Sequence, residues 1–193
     1  LETCSKAAMQ RLELVHDWLA RQFPGRPLSV APASADASFR RYFRVTFDDG
    51  LTRIVMDAPP EHEDCRPFVH VAGLLHEAGV HAPEILAQDL DRGLLLLTDL
   101  GSTTYLDALD ASNADVLFRD ALDALVKWQL VSRPDALPPY DEALLRRELN
   151  LFPDWYVARH LGSPLTAPQQ EVLEQVQALL LQNILAQPRV FVH

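Results

Sequence analysis

A chain of 193 residues, 48% hydrophobic and 23% charged, is long enough for one or two globular domains with real cores. Its 17 Lys and Arg against 27 Asp and Glu give a net charge of −10, which argues against a nucleic acid or an anionic membrane as the main partner, since both need concentrated positive charge. Two cysteines, Cys4 and Cys65, make neither a disulfide framework nor a zinc constellation, and no apolar run is as long as a membrane span, so the expected setting is the cytoplasm.

Met9 is read as opening an amphipathic helix, MQRLELVHDWLARQF, with Leu12, Val15 and Leu19 on one stripe beside Trp18; residues 1–8 are set aside as an upstream extension. From about 28 to 98 the pattern is strands with one inserted helix. LSVAPA and YFRVTF flank SADASFRR, and the turn signal DDG at 48–50 precedes LTRIVMDA. A helix follows over 65–78, with Asp64 as N-cap, Pro67 in the first turn and Gly79 as its stop. APEILAQDL and GLLLLTDL are then two strands around the turn DRG.

After Gly101 the pattern becomes helical. Residues 114–131 carry Leu117, Ala121, Leu125 and Trp128 at helical spacing, and 140–161 form a second helix bent or broken near Pro153. A third runs from TAPQ to Leu185, with Thr166 and Gln169 at capping-box spacing, and Val190, Phe191 and Val192 return to strand. Strands then helices, in this order, predict an α+β chain with two lobes.

Two stretches stand out for chemistry. In ASADASFRRYFRV (33–45), small residues between strands allow close backbone approach to a phosphate; the same stretch also fits a surface hairpin that uses Ser and Asp as turn formers. In LLLLTDLG (94–101), a buried strand runs out into a connector whose backbone N–H and C=O groups can face a planar heterocycle; it also fits a core strand followed by a plain turn.

In this order, the small-residue turn, RIVMDAPP, the helix, LLLLTDLG, the helices and the final VFVH resemble the aminoglycoside-phosphotransferase-like branch of the protein-kinase-like fold. ASFRRYFRV, MDAPPEHEDCRPF, LLLLTDLGSTTYLDAL and ELNLFPDWYVARHLG look more particularly like the bacterial anomeric kinases of cell-wall amino sugars. Those enzymes phosphorylate N-acetylmuramate and N-acetylglucosamine at C1 in peptidoglycan recycling.

The resemblance implies a two-lobed protein-kinase-like fold: an N-terminal helix with upstream residues over 1–27, a nucleotide-binding antiparallel sheet lobe over 28–100, and an incomplete helical lobe for substrate and catalysis over 101–193. It implies ATP and Mg2+, with adenine against Met56 and the Thr98, Asp99 and Leu100 backbone, phosphates near Ser34, Asp36, Ala37, Ser38, Phe39, Arg40 and Arg41, and Asp57 also among the nucleotide-binding residues. His193 matches the histidine that begins the catalytic loop, so the catalytic and metal-binding residues are expected after it and none within the chain. On this reading the 193-residue chain is inactive by itself and either self-associates through its helical lobe or leaves that lobe loosely packed. Other implied activities are a kinase for an aminoglycoside, choline or another hydroxyl compound, and a pseudokinase-like binding module.

One departure matters. Kinase-like folds carry Lys or Arg on the third strand, whereas this strand reads Ile54-Val55-Met56-Asp57. Asp57 repels a phosphate unless it holds an arginine or a metal ion. Arg40 and Arg41 on the neighbouring strand are candidates for the missing cation, and Glu63 and Asp64 for their partners; Arg40, Arg41 and Arg44 are equally read as solvated surface residues. For a sugar, Trp155 and Tyr156 offer flat faces and Glu148, Asn150 and Asp154 offer hydrogen bonds, although either ring alone also fits a helical core.

Overall fold

The computed structural model describes residues 2–35 and 38–192, with side chains described over 9–34 and 38–192. It divides into two compact units, the first ending at Trp128 and the second beginning at Gln129.

The first unit is built on an antiparallel five-stranded sheet with strand order β1-β2-β3-β5-β4. Helix α1 (Glu2–Gln22) comes first, followed by β1 (Leu28–Ala35), β2 (Arg41–Phe47) and β3 (Thr52–Asp57). Then come α2 (Arg66–Glu77), β4 (Ile85–Asp89) and β5 (Leu94–Thr98). The order expected from the sequence is the order found. Helix α1 is longer than expected, starting upstream of Met9.

Both expected turns form hairpins. At DDG, Phe47 N–H donates to Leu51 O at 2.9 Å and Gly50 N–H to Phe47 O at 3.0 Å. At DRG, Gly93 has φ +68, and a Cβ there would stand 1.8 Å from the carbonyl oxygen of Ala58. The close approach is used: Ala58 N–H donates to Gly93 O at 2.8 Å, tying the end of β3 to the start of β5.

Leu94 to Leu97 are all buried, because the sheet has a helix on each face. Val15, Trp18 and Leu19 of α1 pack with Val45, Phe47, Val55, Leu94 and Leu96. On the other face Met56, Ala58, Cys65, Leu95 and Leu97 form a second core, with Phe68 and Val69 of α2 packed against it. Each fully buried side chain of this size contributes about 1.5–3 kcal/mol, so the period-2 alternation of β2 and β3 is held by two cores at once.

Cys65, not Asp64, is the N-cap of α2, and it makes no side-chain cap. Asp64 stands one residue earlier and accepts from Arg66 N–H at 2.9 Å, so it still satisfies one orphan amide of the first turn. The helix stops at Gly79 as expected, with Gly79 N–H donating to His76 O and Val80 N–H to Leu75 O, both at 3.0 Å.

No strand follows Thr98 among the described residues, so the change of composition at Gly101 marks the end of the sheet, whereas the boundary between compact units falls later, inside α4. Helix α3 (Tyr105–Ala108) carries a Thr104–Asp107 capping box, and α4 spans Ala114–Leu130. In the second unit α5 (Glu142–Leu151) runs into a π-helical segment, Phe152–His160. Pro153 therefore changes the helix type rather than ending the helix. Helix α6 (Ala167–Leu185) follows, where Thr166 N–H and Oγ1 both reach Gln169 Oε1, at 3.0 and 2.8 Å.

The expected strand at 190–192 is not formed. The described residues of the second unit are otherwise helical or irregular and offer no strand edge, and β-branched propensity without a pairing neighbour does not make a strand. Phe191 is buried instead, and its N–H donates to Ser132 Oγ at 2.8 Å. No helix among the described residues is long and apolar enough to cross a membrane.

Candidate functional site

Asp57 is fully buried at the end of β3, on the sheet face that α1 covers. In the β2–β3 ladder it stands opposite Arg41, whose Nε donates to Oδ2 at 3.0 Å and whose Nη2 reaches the same oxygen. Arg11 of α1 takes the other oxygen, with Nε at 3.0 Å from Oδ1 and Nη2 also in contact, and Nη2 donates to Arg92 O at 2.8 Å. Two guanidinium groups thus surround one carboxylate. The acid on the third strand holds arginine, one of the two conditions stated for it. Arg41 is one of the expected partners; Arg11 was not anticipated, although its position four residues before Val15 and seven before Trp18 on the buried stripe was a signal.

Arg40 lies with the opposite face. Its Nε stands 3.5 Å from Glu63 Oε2, and it lines a cavity of about 280 Å3 with Met56, Ala58, Cys65, Phe68 and Val71. Glu63 therefore pairs with Arg40 as expected, whereas Asp64 pairs with Arg66. Burial, then the adjacent Asp64 carboxylate, push the Cys65 thiol above its ordinary value. Of the turn residues, Ser34 is exposed, Ser38 Oγ accepts from Arg40 N–H at 3.1 Å, and Phe39 stacks on His62 with ring centres 4.4 Å apart. Asp36 and Ala37 lie outside the described residues, as does His193.

Thr98, Asp99 and Leu100 line a different cavity, of about 400 Å3, with His76, Val80, His81, Ala82 and Glu84. Met56 is 1% exposed in the α2-side core, so it and the connector do not share one cavity. The register explains the separation: Met56 pairs with Leu95 on β5, while Ile54 is the residue beside Leu97.

The connector is tied down at both ends. Thr98 N–H donates to Glu84 O at 3.0 Å, and Glu84 N–H to Thr98 Oγ1 at 2.9 Å. Arg44 donates through Nε to Asp99 Oδ2 at 2.7 Å and through Nη2 to Asp99 Oδ1 at 3.2 Å and to Gly101 O at 3.0 Å. Asp99 Oδ1 also accepts from Gly101 N–H at 2.8 Å. The Arg44 hydrogen bonds, assisted by the Gly101 amide and the Thr52 hydroxyl, hold the Asp99 carboxyl below its ordinary value, and Asp99 raises Arg44 in turn. Arg44 is thus engaged rather than simply solvated.

In the second unit Glu148, Asn150, Asp154, Trp155 and Tyr156 are all exposed. The Arg159 guanidinium lies 3.9 Å over the Trp155 ring, and Tyr156 stacks between Phe152 and His160, at 5.7 and 5.4 Å. The two rings therefore lie outside the helical core. Among the described residues no group of three or more His, Cys, Asp or Glu side chains is placed to hold a metal ion.

Comparison with known proteins bears on this arrangement. Three curated proteins named N-acetylmuramate/N-acetylglucosamine kinase are similar to the chain. That of Pseudomonas aeruginosa is 60% identical over 167 residues, which is 86% of this chain and 49% of that protein. That of Pseudomonas putida is 55% identical over 165 residues, 86% of this chain and 48% of that protein. That of Neisseria meningitidis serogroup B is 41% identical over 189 residues, 96% of this chain and 56% of that protein. The chain spans about half the length of the curated relatives it matches. The profile of the phosphotransferase enzyme family matches residues 29–193, from the first strand onward, and the chain belongs to that family.

Proposed function

We propose that the whole protein transfers the γ-phosphoryl group of ATP to the anomeric hydroxyl of N-acetylmuramate or N-acetylglucosamine, in the cytoplasm, as a step of cell-wall recycling. The observation that carries this reading is the 60% identity, over 86% of the chain, to a protein named N-acetylmuramate/N-acetylglucosamine kinase. Phosphoryl transfer rests on positioning and on stabilising charge, and the sheet is compatible with both. Asp57 does not oppose a phosphate, because Arg11 and Arg41 engage both of its oxygens.

Arg40, held beside Glu63 just before β2, takes the role of the cation that the third strand lacks. Ser34, Asp36, Ala37, Ser38 and Phe39 precede it and approach the phosphates, and the connector backbone faces the adenine. The exposed Trp155 and Tyr156 rings meet the sugar, with Glu148, Asn150 and Asp154 to its hydroxyls. Mg2+, when bound, neutralises charge on the transferring group; no metal-binding cluster stands among the described residues, and none of them is assigned to it.

The test is a 31P NMR assay of the whole protein with ATP and each sugar. A phosphate at C1 is expected from both N-acetylated sugars and none from their methyl glycosides, in which that hydroxyl is blocked. Equal turnover of the methyl glycosides, or turnover of an aminoglycoside or choline in their place, would overturn the assignment.

A further inference from the structure

The connector after β5 presents one backbone residue differently from its neighbours. Leu100 is 52% exposed, and among the described residues its N–H and C=O have no hydrogen-bond partner. On its two sides the polar groups are engaged. Thr98 is bound to Glu84 through its N–H and its hydroxyl, and the N–H and C=O of Gly101 go to Asp99 and Arg44. One donor and one acceptor therefore stand open between two pinned residues. The pinning is not local: Arg44 comes from β2, two strands away from β5, with β3 between them. Its two nitrogens grip both oxygens of Asp99 and a third contact reaches Gly101 O, a fork that a lysine does not reproduce.

We infer that Arg44 and Asp99 are positioning residues for base recognition: by clamping the connector they fix the Leu100 N–H and C=O against the edge of a purine. The inference rests on the nucleotide-dependent reading above. Adenine presents a donor at N6 and an acceptor at N1, whereas guanine presents an acceptor at O6 and a donor at N1. A backbone donor and acceptor held in fixed places match one edge and oppose the other. The same two groups on a loose connector shift to suit either base. Neither side chain touches the triphosphate in this scheme, so the clamp governs which base is taken and leaves phosphate affinity alone.

The experiment uses the whole protein and its Arg44→Ala, Asp99→Asn and Arg44→Lys variants. Calorimetric titrations with ATP, GTP and inorganic tripolyphosphate are paired with steady-state kinetics. In Arg44→Ala and Asp99→Asn the preference for ATP over GTP is expected to fall roughly tenfold, the loss of a charge-assisted contact. The KM for ATP rises with it, kcat at saturating ATP changes by less than about twofold, and tripolyphosphate binds as in the unsubstituted protein. Arg44→Lys, which keeps the charge and loses the fork, falls between. Retained tripolyphosphate binding shows that the variants are folded. An unchanged ATP-to-GTP preference, or a parallel loss of tripolyphosphate binding, overturns this inference alone. If the unsubstituted protein binds no ATP, the proposed function falls and this inference falls with it.

Discussion

Arg41 and Asp57 face each other across the β2–β3 ladder, and the guanidinium of Arg41 holds one oxygen of a carboxylate that solvent does not reach. Arg11 holds the other oxygen from a helix 46 residues away in sequence. Removing the shared acid leaves two partly buried cations facing each other, whereas removing one arginine leaves the acid with a partner. Asp57→Ala is therefore expected to lower stability by about 3–5 kcal/mol and Arg11→Ala by about 1–3 kcal/mol, both read from urea unfolding. The ordering is the critical result: an Asp57→Ala cost no greater than that of Arg11→Ala would show that the trio is not held through its carboxylate.

Gly93 and Gly50 test steric approach against backbone conformation. Both have positive φ, at +68 and +80, but only at Gly93 would a Cβ meet another atom, the Ala58 carbonyl oxygen. Gly50→Ala is expected to cost about 1–2 kcal/mol from conformation alone. Gly93→Ala adds a further cost of about 1–3 kcal/mol from overlap and breaks the Ala58–Gly93 hydrogen bond. Thermal melts of the two variants side by side should separate them clearly; coincident curves would mean that the β3–β5 junction yields freely.

Asp99 carries a pH signature. Its carboxyl lies below the ordinary value of about 3.9 when folded, so the stability it contributes is complete above that ordinary value and is lost as pH falls through the lowered one. Asp99→Asn removes the contribution. The stability gap between the protein and this variant should be constant between about pH 6 and 8 and narrow below about pH 4. Urea midpoints measured across that range check it, and a gap that widens on acidification would reverse the assigned sign.

Trp155 is exposed with an arginine over its ring, which makes it a test of the acceptor side. Trp155→Ala is expected to raise the KM for the N-acetylated sugar by roughly twofold to tenfold, the range of one aromatic-face contact. The KM for ATP should stay where it was. A rise confined to ATP would remove this residue from the sugar side.

What the sequence revealed and concealed divides along the range of the interactions. DDG and DRG announced their hairpins because each glycine solves a problem within a few residues, and Thr166 announced α6 through Gln169 in the same way. The VFV run at 190–192 misled, because a strand exists only with a neighbour and the run itself names none. Asp57 was legible as an anomaly on the third strand. Its second partner was not, since an arginine on the buried stripe of α1 declares a hidden anion without saying which. Asp99 stood among the expected nucleotide contacts, yet Arg44 reaches it across the one strand, β3, that separates β2 from β5, a tertiary fact that spacing does not encode.

The family match begins at residue 29, but α1 ends at Gln22. Val15, Trp18 and Leu19 nonetheless close one whole face of the sheet, and Arg11 completes the neutralisation of Asp57. The family match and the sheet core thus begin at different places in this chain, although the Neisseria meningitidis relative aligns with 96% of it. A protein trimmed to begin at residue 29 would keep the matched span and lose the lid of its first core, exposing Val45, Val55, Leu94 and Leu96 to water. A helix ahead of the matched span therefore covers the core that the span itself cannot close.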